Sequence, residues 1–382
     1  MTNLAELLDS KGHEVTQIAI RSPKQLRVAD LERAQVRHGV RLCTVPLDTS
    51  TSIAGGLRNL LFSSDPYHVS RHWDPGMERL IHEHLKDARY DVIQFESIFL
   101  LNYLPAVRRA APRTPIVLRA QNVEHRIWQG LGADRRDPMG WYLRLQAKRI
   151  EHFERARCRE VGHIMSVTSI DAEWFASVVP SAHIRSIPIG LPGMVPQNVN
   201  ELSPSFFHLA AMDWLPNREG VRWFMKHVWP AFQKTWPDAQ LHLAGTGMPA
   251  DLKAMSSSSV HVGDRITDPV AFMTGHGIMV VPLLSGSGIR VKILEGMRLG
   301  RTIISTPQGA SGIDCRNGHD ILLASTPSDL IGLMSRCMHD PGYAAMIGRN
   351  ARDLAERRYS ADRVSEELEA YYRQVVDPDR AR

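Results

Sequence analysis

Short runs of β-branched and apolar residues alternate with amphipathic helical segments along the whole chain. This alternation is typical of α/β domains built on parallel sheets. In the first half it predicts helices at 77–86 and 142–157, and strands at 15–20, 40–45, 91–95, 116–119, 163–167 and 184–187. In the second half it predicts strands at 205–210, 240–244, 260–262, 278–282, 302–305 and 320–323. The helices predicted there are 220–235, 269–273, 289–299, 328–338, 342–358 and 361–375.

A stretch rich in Gly and Pro separates the two alternations, as expected of a linker. We therefore predict two doubly wound, Rossmann-like domains. The first covers residues 1–190, a linker covers 191–204, and the second domain covers 205–358. Residues 359–382 form a last helix and tail.

The first alternation begins in an unusual way. A Rossmann-like domain normally opens with a strand, a Gly-rich turn and a helix. Here the first predicted element is already a helix, at residues 4–10, which Gly12 ends. We therefore expect the opening strand and its loop to be missing, either because the start codon is placed late or because the sheet lacks a strand.

Composition indicates a globular protein. The 382 residues are 43% hydrophobic and 23% charged, without an apolar run near the 18 to 20 residues that span a bilayer and without a signal-peptide pattern. The expected location is the cytoplasm, with a possible peripheral position at the inner membrane face. Four cysteines without a CxxC pair predict neither a metal site nor a cofactor.

The net charge of +5 belongs to residues 1–190, which hold 26 basic and 21 acidic residues. One interpretation is attraction to an anionic membrane or to a lipid-phosphate acceptor. An ordinary solvated surface explains the excess equally well. Nucleic-acid binding is disfavoured because no nucleic-acid motif accompanies the charge.

The most informative segment is VPLLSGSGIRVKILEGMRLG, residues 281–300. A strand that ends at Pro282, a Gly-Ser loop and a helix that opens near Gly288 would present backbone N–H groups and a helix dipole to a diphosphate. Arg290 and Lys292 add positive charge. Glu295 follows Gly288 by seven residues, about 10 Å along a helix, where a carboxylate can accept two ribose hydroxyl protons.

Several motifs in order give the chain a resemblance to the GT4-type family of GT-B retaining glycosyltransferases. They are GSGIRVKILE at 286–295, AMDWLPNREGV at 211–221, LAGTG at 243–247, VHVGDRITD at 260–268, IISTPQGASGI at 303–313, NVE at 122–124 and YSADR at 359–363. The resemblance implies two domains that face each other across a cleft, with the last helix crossing back to the N-terminal domain.

The resemblance also implies site residues. Glu295 would bind the ribose, the amides of Gly288 and Ile289 the phosphates, and Arg290 and Lys292 would stabilise the leaving diphosphate. Further residues expected at the nucleotide-sugar are Ser287, Gly263, Asp268, Asp213, Asn217 and Arg218. On the acceptor side it implies Gln121, Asn122 and Glu124. Two positions depart from the pattern, because Gln121 replaces a His and Ser287 replaces a Glu. His125 is expected at the surface.

The implied function is metal-independent, retaining transfer of a sugar from a nucleotide-sugar to a glycan, polysaccharide or lipid-linked acceptor in envelope or exopolysaccharide biosynthesis. The alternative is a truncated or degenerate sugar-nucleotide-binding protein without activity. A sugar-nucleotide epimerase is disfavoured, because no carboxylates occur at a suitable spacing. The sugar, the base, the acceptor and the oligomeric state stay open.

Overall fold

The computed structural model describes residues 2–22, 39–133, 135–191, 205–286 and 288–377, in which parallel strands alternate with helices. The chain divides into two units, Met1–Gly190 together with Val364–Arg382, and Leu191–Arg363. Each predicted strand overlaps one of the strands β1 to β12 of the described ranges. The predicted linker lies outside the described residues apart from Leu191.

The first unit contains six of these strands. They are β1 (Thr16–Arg21), β2 (Arg41–Pro46), β3 (Ile93–Phe95), β4 (Ile116–Ala120), β5 (His163–Ser166) and β6 (His183–Ser186). Its described helices are α1 (Thr2–Ser10), α2 (Ile53–Phe62), α3 (Tyr67–Ser70), α4 (Pro75–Asp87), α5 (Leu104–Ala110), α6 (Glu124–Ala133), α7 (Pro138–Cys158) and α8 (Ser169–Val178). A 3-10 helix covers Ile98–Tyr103.

The strands of the first unit form two separate parallel sheets. β1 pairs with β2, and β3 to β6 pair in sequence order. Within the described residues, neither β1 nor β3 has a second neighbour. A cavity of about 1780 Å³ borders both strands, and its lining includes Thr16, Ile18 and Ile20 of β1 and Gln94 of β3.

This gap lies where a strand leading into α1 would pair. α1 is followed by β1, and β2 already occupies one side of β1. Strand–helix–strand crossovers between parallel strands are right-handed, and consecutive strands are usually neighbours. A strand before α1 would therefore pair with the other side of β1, which borders the cavity.

The second unit has one continuous parallel sheet. Its strands are β7 (Phe206–Leu209), β8 (Leu241–Ala244), β9 (Val260–Val262), β10 (Ile278–Val281), β11 (Thr302–Ser305) and β12 (Leu322–Leu323). Their order is β12-β11-β10-β7-β8-β9. The order reverses between β7 and β10, and such a reversal creates a crevice at the carboxyl ends of the strands, where ligands of open α/β sheets bind.

Helices cover both faces of this sheet. They are α9 (Leu215–His227), α10 (Trp229–Thr235), α11 (Ala250–Lys253), α12 (Pro269–Thr274), α13 (Val291–Arg298), α14 (Pro327–His339) and α15 (Pro341–Tyr359). Phe206 and Val280 are buried in the core on one face, and Phe207 and Met279 in the core on the other. These strands therefore read as continuous apolar runs, as is typical of parallel sheets.

The last helix, α16 (Ala361–Val376), belongs to the first unit from Val364 onward. Leu368 and Tyr371 are buried in one cluster with Val117 of β4 and Met165 of β5. The Tyr371 hydroxyl donates a hydrogen bond to the carbonyl of His183 (3.0 Å). None of the helices in the described ranges combines the length and the apolar character of a membrane-spanning segment.

Several predicted helix boundaries were wrong. The helix predicted at 220–235 is two helices, α9 and α10, because Pro230 lacks an N–H and begins a new helix. The helix predicted at 142–157 begins at Pro138, where the Asp137 carboxylate accepts from the amide of Gly140 (2.9 Å). Helix α2 lies in a gap between predicted strands for which the sequence pattern gave no helix bounds.

The two sides of β1 should differ in hydrogen exchange. The carbonyls of Val15 and Arg21 accept from the amides of Arg41 (2.9 Å) and Leu47 (3.0 Å) on the β2 side. Since alternate residues of a strand direct their amides to opposite sides, Ile18 and Ile20 direct theirs toward the cavity. We expect these two amides to exchange about tenfold or more faster than those of their neighbours at 17 and 19.

Residue-resolved hydrogen exchange by NMR or mass spectrometry measures this difference. Residues 17 and 19 serve as the internal control, because they belong to the same strand and differ only in the side they face. Equal protection of the two pairs would show that another segment covers this side of β1.

Candidate functional site

The loop between β10 and α13 follows a buried strand and turns sharply. Gly286 and Gly288 have φ angles of 110° and 79°, in the left-handed region that favours glycine. A Cβ atom on Gly286 would lie 2.8 Å from the Trp214 ring and 2.9 Å from the Arg290 guanidinium. Glycine is therefore needed at 286 both for its conformation and for the closeness of these side chains. Ser287 lies outside the described residues.

Helix α13 begins at Val291, so the prediction that it opens near Gly288 was wrong. Arg290 occupies the position before the helix, and its side chain makes no capping hydrogen bond. The first N–H groups of a helix have no partner within the helix and carry the positive end of its dipole. This end of α13 is therefore suited to an anion, and Gly288 and Ile289 lie in the turn that precedes it.

The Arg290 guanidinium is held above an aromatic ring. Its Cζ lies 5.0 Å from the centroid of the Trp214 ring, and its Nη1 donates to the carbonyl of Gly288 (2.5 Å). Burial lowers the pKa of Arg290 to about 10, so the side chain remains charged at neutral pH. A positive charge thus lies within the turn before α13.

Lys292 and Glu295 form an ion pair on α13, with 2.6 Å between Lys292 Nζ and Glu295 Oε2. Their side chains are 40% and 33% exposed. Because the helix begins at Val291, Glu295 lies in its second turn, about 6 Å from the start instead of the predicted 10 Å. The carboxylate is partly accessible, as a ligand for hydroxyl groups must be.

The loop after β7 lies across the reversal in strand order from this turn. Asp213 is exposed, and the buried Asn217 donates to the carbonyl of Ala211 (2.8 Å). Arg218 is half-buried, and its Nε is buried without a hydrogen-bond partner in the described part of the chain. A buried guanidinium nitrogen without a partner favours an anionic ligand at this position.

Gly263 and Asp268 lie after β9, the last strand on that side of the sheet. The amide of Gly263 donates to the carbonyl of Leu243 (2.8 Å). The Asp268 carboxylate accepts from the amide of Ala271 (3.0 Å) and caps α12. Three strand spacings separate β9 from β10, about 14 Å. These two residues therefore form a second group, set apart from the turn at α13.

Sequence reasoning did not single out the residues that hold the loop in place. The Gln308 amide donates to the carbonyl of Gly286, and the Thr306 hydroxyl donates to the carbonyl of Leu283. Both follow β11, the neighbour of β10. Their motif at 303–313 was recognised, but nothing local in it indicates which loop these side chains contact.

The predicted acceptor-side residues follow β4 in the first unit. Gln121 is exposed and donates to the carbonyl of Glu96 (3.4 Å), and Asn122 donates to Glu124 (3.5 Å). Burial, together with the negative charge of Glu154, raises the pKa of Glu124 to about 7. A carboxyl group with this pKa exchanges its proton near neutral pH and is a candidate for contact with a hydroxyl substrate.

The expected surface position of His125 was wrong, since its side chain is buried. Its Nδ1 lies 2.5 Å from a carboxylate oxygen of Glu154. The other oxygen of Glu154 accepts from the amide of Glu124 (2.8 Å), at the start of α6. His125 and Glu154 therefore fix the start of this helix, and with it the position of Glu124.

A group of polar side chains beside α3 was not predicted at all. Arg71 Nη2 lies 2.7 Å from His68 Nδ1, and Arg71 Nη1 donates to the carbonyl of Thr49 (2.8 Å). Burial, followed by the charge of Arg71, lowers the pKa of His68 to about 3, so this imidazole is neutral. His68 and Arg71 line the same cavity as Gln121 and Glu124.

The raised pKa of Glu124 predicts how stability depends on pH. The unfolded carboxyl loses its proton near pH 4.5, whereas the folded one keeps it up to about pH 7. The native state therefore loses stability relative to the unfolded state across this interval. Compared with a Glu124→Gln variant, the wild type should lose about 3 kcal/mol of unfolding free energy by pH 8.

Urea unfolding at a series of pH values from about 4 to 8 measures this effect. A Glu173→Gln variant, at an exposed position on α8, is the matched control. Its unfolding free energy should depend on pH in the same way as that of the wild type. A constant difference between the wild type and Glu124→Gln at every pH would contradict the raised pKa.

Solved structures of glycosyltransferases share the fold. Sucrose-phosphate synthase from Thermosynechococcus elongatus matches with a TM-score of 0.66 and 17% identity, over 98% of this chain and 92% of that one. A glycosyltransferase from Rickettsia africae matches with a TM-score of 0.65 and 12% identity, over 98% and 93%. Anabaena HepE in complex with UDP matches with a TM-score of 0.63 and 12% identity, over 97% and 95%.

A curated relative is an uncharacterized 44.6 kDa protein in the cps region of Klebsiella pneumoniae. It is 30% identical over 122 residues. The match covers 29% of this chain and 31% of that protein, so it spans about a third of the length of the relative.

Two family models together match most of the chain. A glycosyl transferase 4-like domain matches residues 1–190, and the glycosyl transferases group 1 model matches residues 203–340. The second match contains the turn before α13 together with Glu295. The chain therefore belongs to the GT4-type, group 1 glycosyltransferases and has their GT-B fold.

Proposed function

We propose that this protein transfers a sugar from a nucleotide-sugar to a glycan, polysaccharide or lipid-linked acceptor, with retention of the anomeric configuration. The observation that supports this most is the turn before α13. There, a helix start suited to an anion, the charged Arg290 and the partly exposed Glu295 occur together beside the reversal in strand order. This combination suits a nucleoside diphosphate, which joins two phosphates to a ribose diol.

The nucleotide would bind along the carboxyl ends of the strands of the second unit. The amides of Gly288 and Ile289 would donate to the phosphates, and Glu295 would accept from the two ribose hydroxyls. The base would lie near residues 263–268. Asp213, Asn217 and Arg218, from residues 213–218, would also contact the nucleotide-sugar. Anabaena HepE has been solved with UDP and with UDP-glucose, which makes uridine nucleotides the first to test.

Departure of the diphosphate leaves negative charge on its oxygens. Arg290 and Lys292 would stabilise that charge, so that the reaction needs no metal ion. A charged group aimed at the charge that develops in the transition state typically contributes about 3 to 4 kcal/mol. Arg290 suits this role because its burial and its bond to Gly288 fix its position before the reaction begins.

The acceptor would bind the first unit at Gln121, Asn122 and Glu124. The match to a protein of a cps region supports a role in envelope or exopolysaccharide biosynthesis, in the cytoplasm or at the inner membrane face. A second candidate is a sugar-nucleotide-binding protein without activity. The gap between β1 and β3 favours this alternative, since it lies in the unit that would hold the acceptor.

The direct experiment incubates the protein with UDP-, GDP- and dTDP-sugars and measures binding and release of nucleoside diphosphate. Proton NMR of the product then compares its anomeric configuration with that of the nucleotide-sugar. Turnover with an inverted product would contradict the retaining mechanism. Binding of a nucleotide without turnover for any sugar or acceptor would favour the non-catalytic alternative.

Removal of the Glu295 carboxylate should weaken nucleotide binding. A carboxylate that accepts two hydroxyl hydrogen bonds contributes about 1.5 to 3 kcal/mol, so Glu295→Ala should raise the Kd about 10- to 100-fold. Titration with the nucleotide, followed by thermal shift or calorimetry, measures the change. Asp238→Ala removes an exposed carboxylate elsewhere in the second unit and should bind normally. Equal affinity of Glu295→Ala and the wild type would refute the ribose contact.

Loss of the Arg290 charge should slow the reaction more than it weakens binding. Arg290→Ala should lower kcat about 100- to 1,000-fold, because the charge acts mainly on the leaving diphosphate. Arg290→Lys keeps a charge but not the planar group above Trp214, and should retain part of the activity. A rise in Kd of similar size with unchanged kcat would assign Arg290 to binding alone. The melting temperature of each variant controls for folding.

A further inference from the structure

Helix α2 exposes an apolar face. Ile53, Leu57 and Leu61 recur at every fourth residue, and they are 84%, 55% and 73% exposed. Residues at this spacing share one side of a helix, so they form a row about 12 Å long. Phe62, at the end of the helix and about 100° around its axis from Leu61, is also 83% exposed. We call these four side chains the apolar stripe.

The opposite side of α2 is held firmly by the first unit. Asn59 is buried and donates to the carbonyl of Asp65 (3.0 Å) and to the hydroxyl of Ser70 (3.1 Å). Arg149 of α7 donates to the Asn59 side chain (3.3 Å). The Ser52 hydroxyl accepts from the amide of Gly55 (3.0 Å) and caps the helix. The helix is therefore well anchored, and its apolar stripe is a property of the folded unit.

The helix beside the stripe carries positive charge. α7 lies against α2, since a Cβ atom on Gly56 would lie 3.2 Å from the Tyr142 hydroxyl. Trp141, Arg144 and Lys148 of α7 are exposed and lie on one side of it, at i, i+3 and i+7. α2 itself contains Arg58, also exposed.

Carboxylates are scarce in the same place. α2 has no acidic residue, and neither do residues 138–150 of α7. Asp65 follows α2, and Asp137 precedes α7, where it is paired with Arg135 (2.7 Å). Helix α2 and residues 138–150 of α7 therefore carry basic residues and no acidic ones.

We propose that the apolar stripe and its basic neighbours dock the protein on an anionic lipid bilayer. An apolar face flanked by Arg, Lys and Trp is what lies in the boundary between headgroups and acyl chains. The stripe would enter this boundary, and Arg58 and Lys148 would face lipid phosphates. A protein partner is less favoured, because a stable interface needs a wider apolar surface than a single helix offers. This proposal deepens the position at the inner membrane face that is part of the proposed function, and it does not depend on sugar transfer.

Co-sedimentation with vesicles tests the proposal with the full chain. The protein should bind vesicles rich in phosphatidylglycerol, bind pure phosphatidylcholine vesicles weakly, and lose affinity as salt is added. The triple variant Leu57→Ser, Leu61→Ser and Phe62→Ser should bind the anionic vesicles at least about tenfold more weakly. Nucleotide binding by the same variant should be unchanged, which separates this test from that of the proposed function.

The matched control replaces three exposed apolar residues elsewhere with serine, namely Ile170, Met255 and Met346, and should bind vesicles like the wild type. Equal melting temperatures show that both variants fold. Failure of the wild type to bind anionic vesicles, or undiminished binding by the stripe variant, overturns the proposal. A wild-type dimer that the stripe variant converts to a monomer, with vesicle binding unchanged, would assign the stripe to a second copy of the chain instead.

Discussion

The close approach of two loops at the reversal in strand order is the constraint on which the proposed nucleotide site depends. Gly220 of α9 leaves room for the carbonyl of Pro282, and Gly286 leaves room for Trp214, so that a side chain at either position would clash. This approach brings Arg290 over the Trp214 ring and buries part of its side chain. Burial of a charge costs free energy, and the aromatic face and the carbonyl of Gly288 help to offset this cost.

Most of the fold could be predicted from the sequence because its strands are buried on both faces. Such strands appear as uninterrupted apolar runs, as in Ile278–Val281 and Thr302–Ser305, and no knowledge of their neighbours is needed to find them. Helix starts were less predictable, because they depend on single residues. Pro230 divides one predicted helix. Helix α13 begins at Val291, because the residues before it, which the pattern assigned to the helix, form a turn.

The parts of the sites that escaped prediction join residues distant in sequence. Glu154 lies about thirty residues after the NVE motif, within a long polar helix whose pattern does not show which carboxylate turns inward to His125. Gln308 contacts the loop of Gly286 from the neighbouring strand. The apolar stripe was missed for a different reason. A sequence pattern shows which residues share a helix face, but it does not show whether other parts of the protein cover that face.

The ion pair between Lys292 and Glu295 is compatible with a ligand at the same carboxylate. An exposed pair at this spacing on a helix contributes only about 0.2 to 0.5 kcal/mol, so little is lost if a ribose changes its geometry. A carboxylate also has more acceptor positions than a single ammonium group uses. Lys292 therefore orients Glu295 on the accessible side of α13 without saturating it, and the proposed contact with a nucleotide would need no rearrangement of the helix.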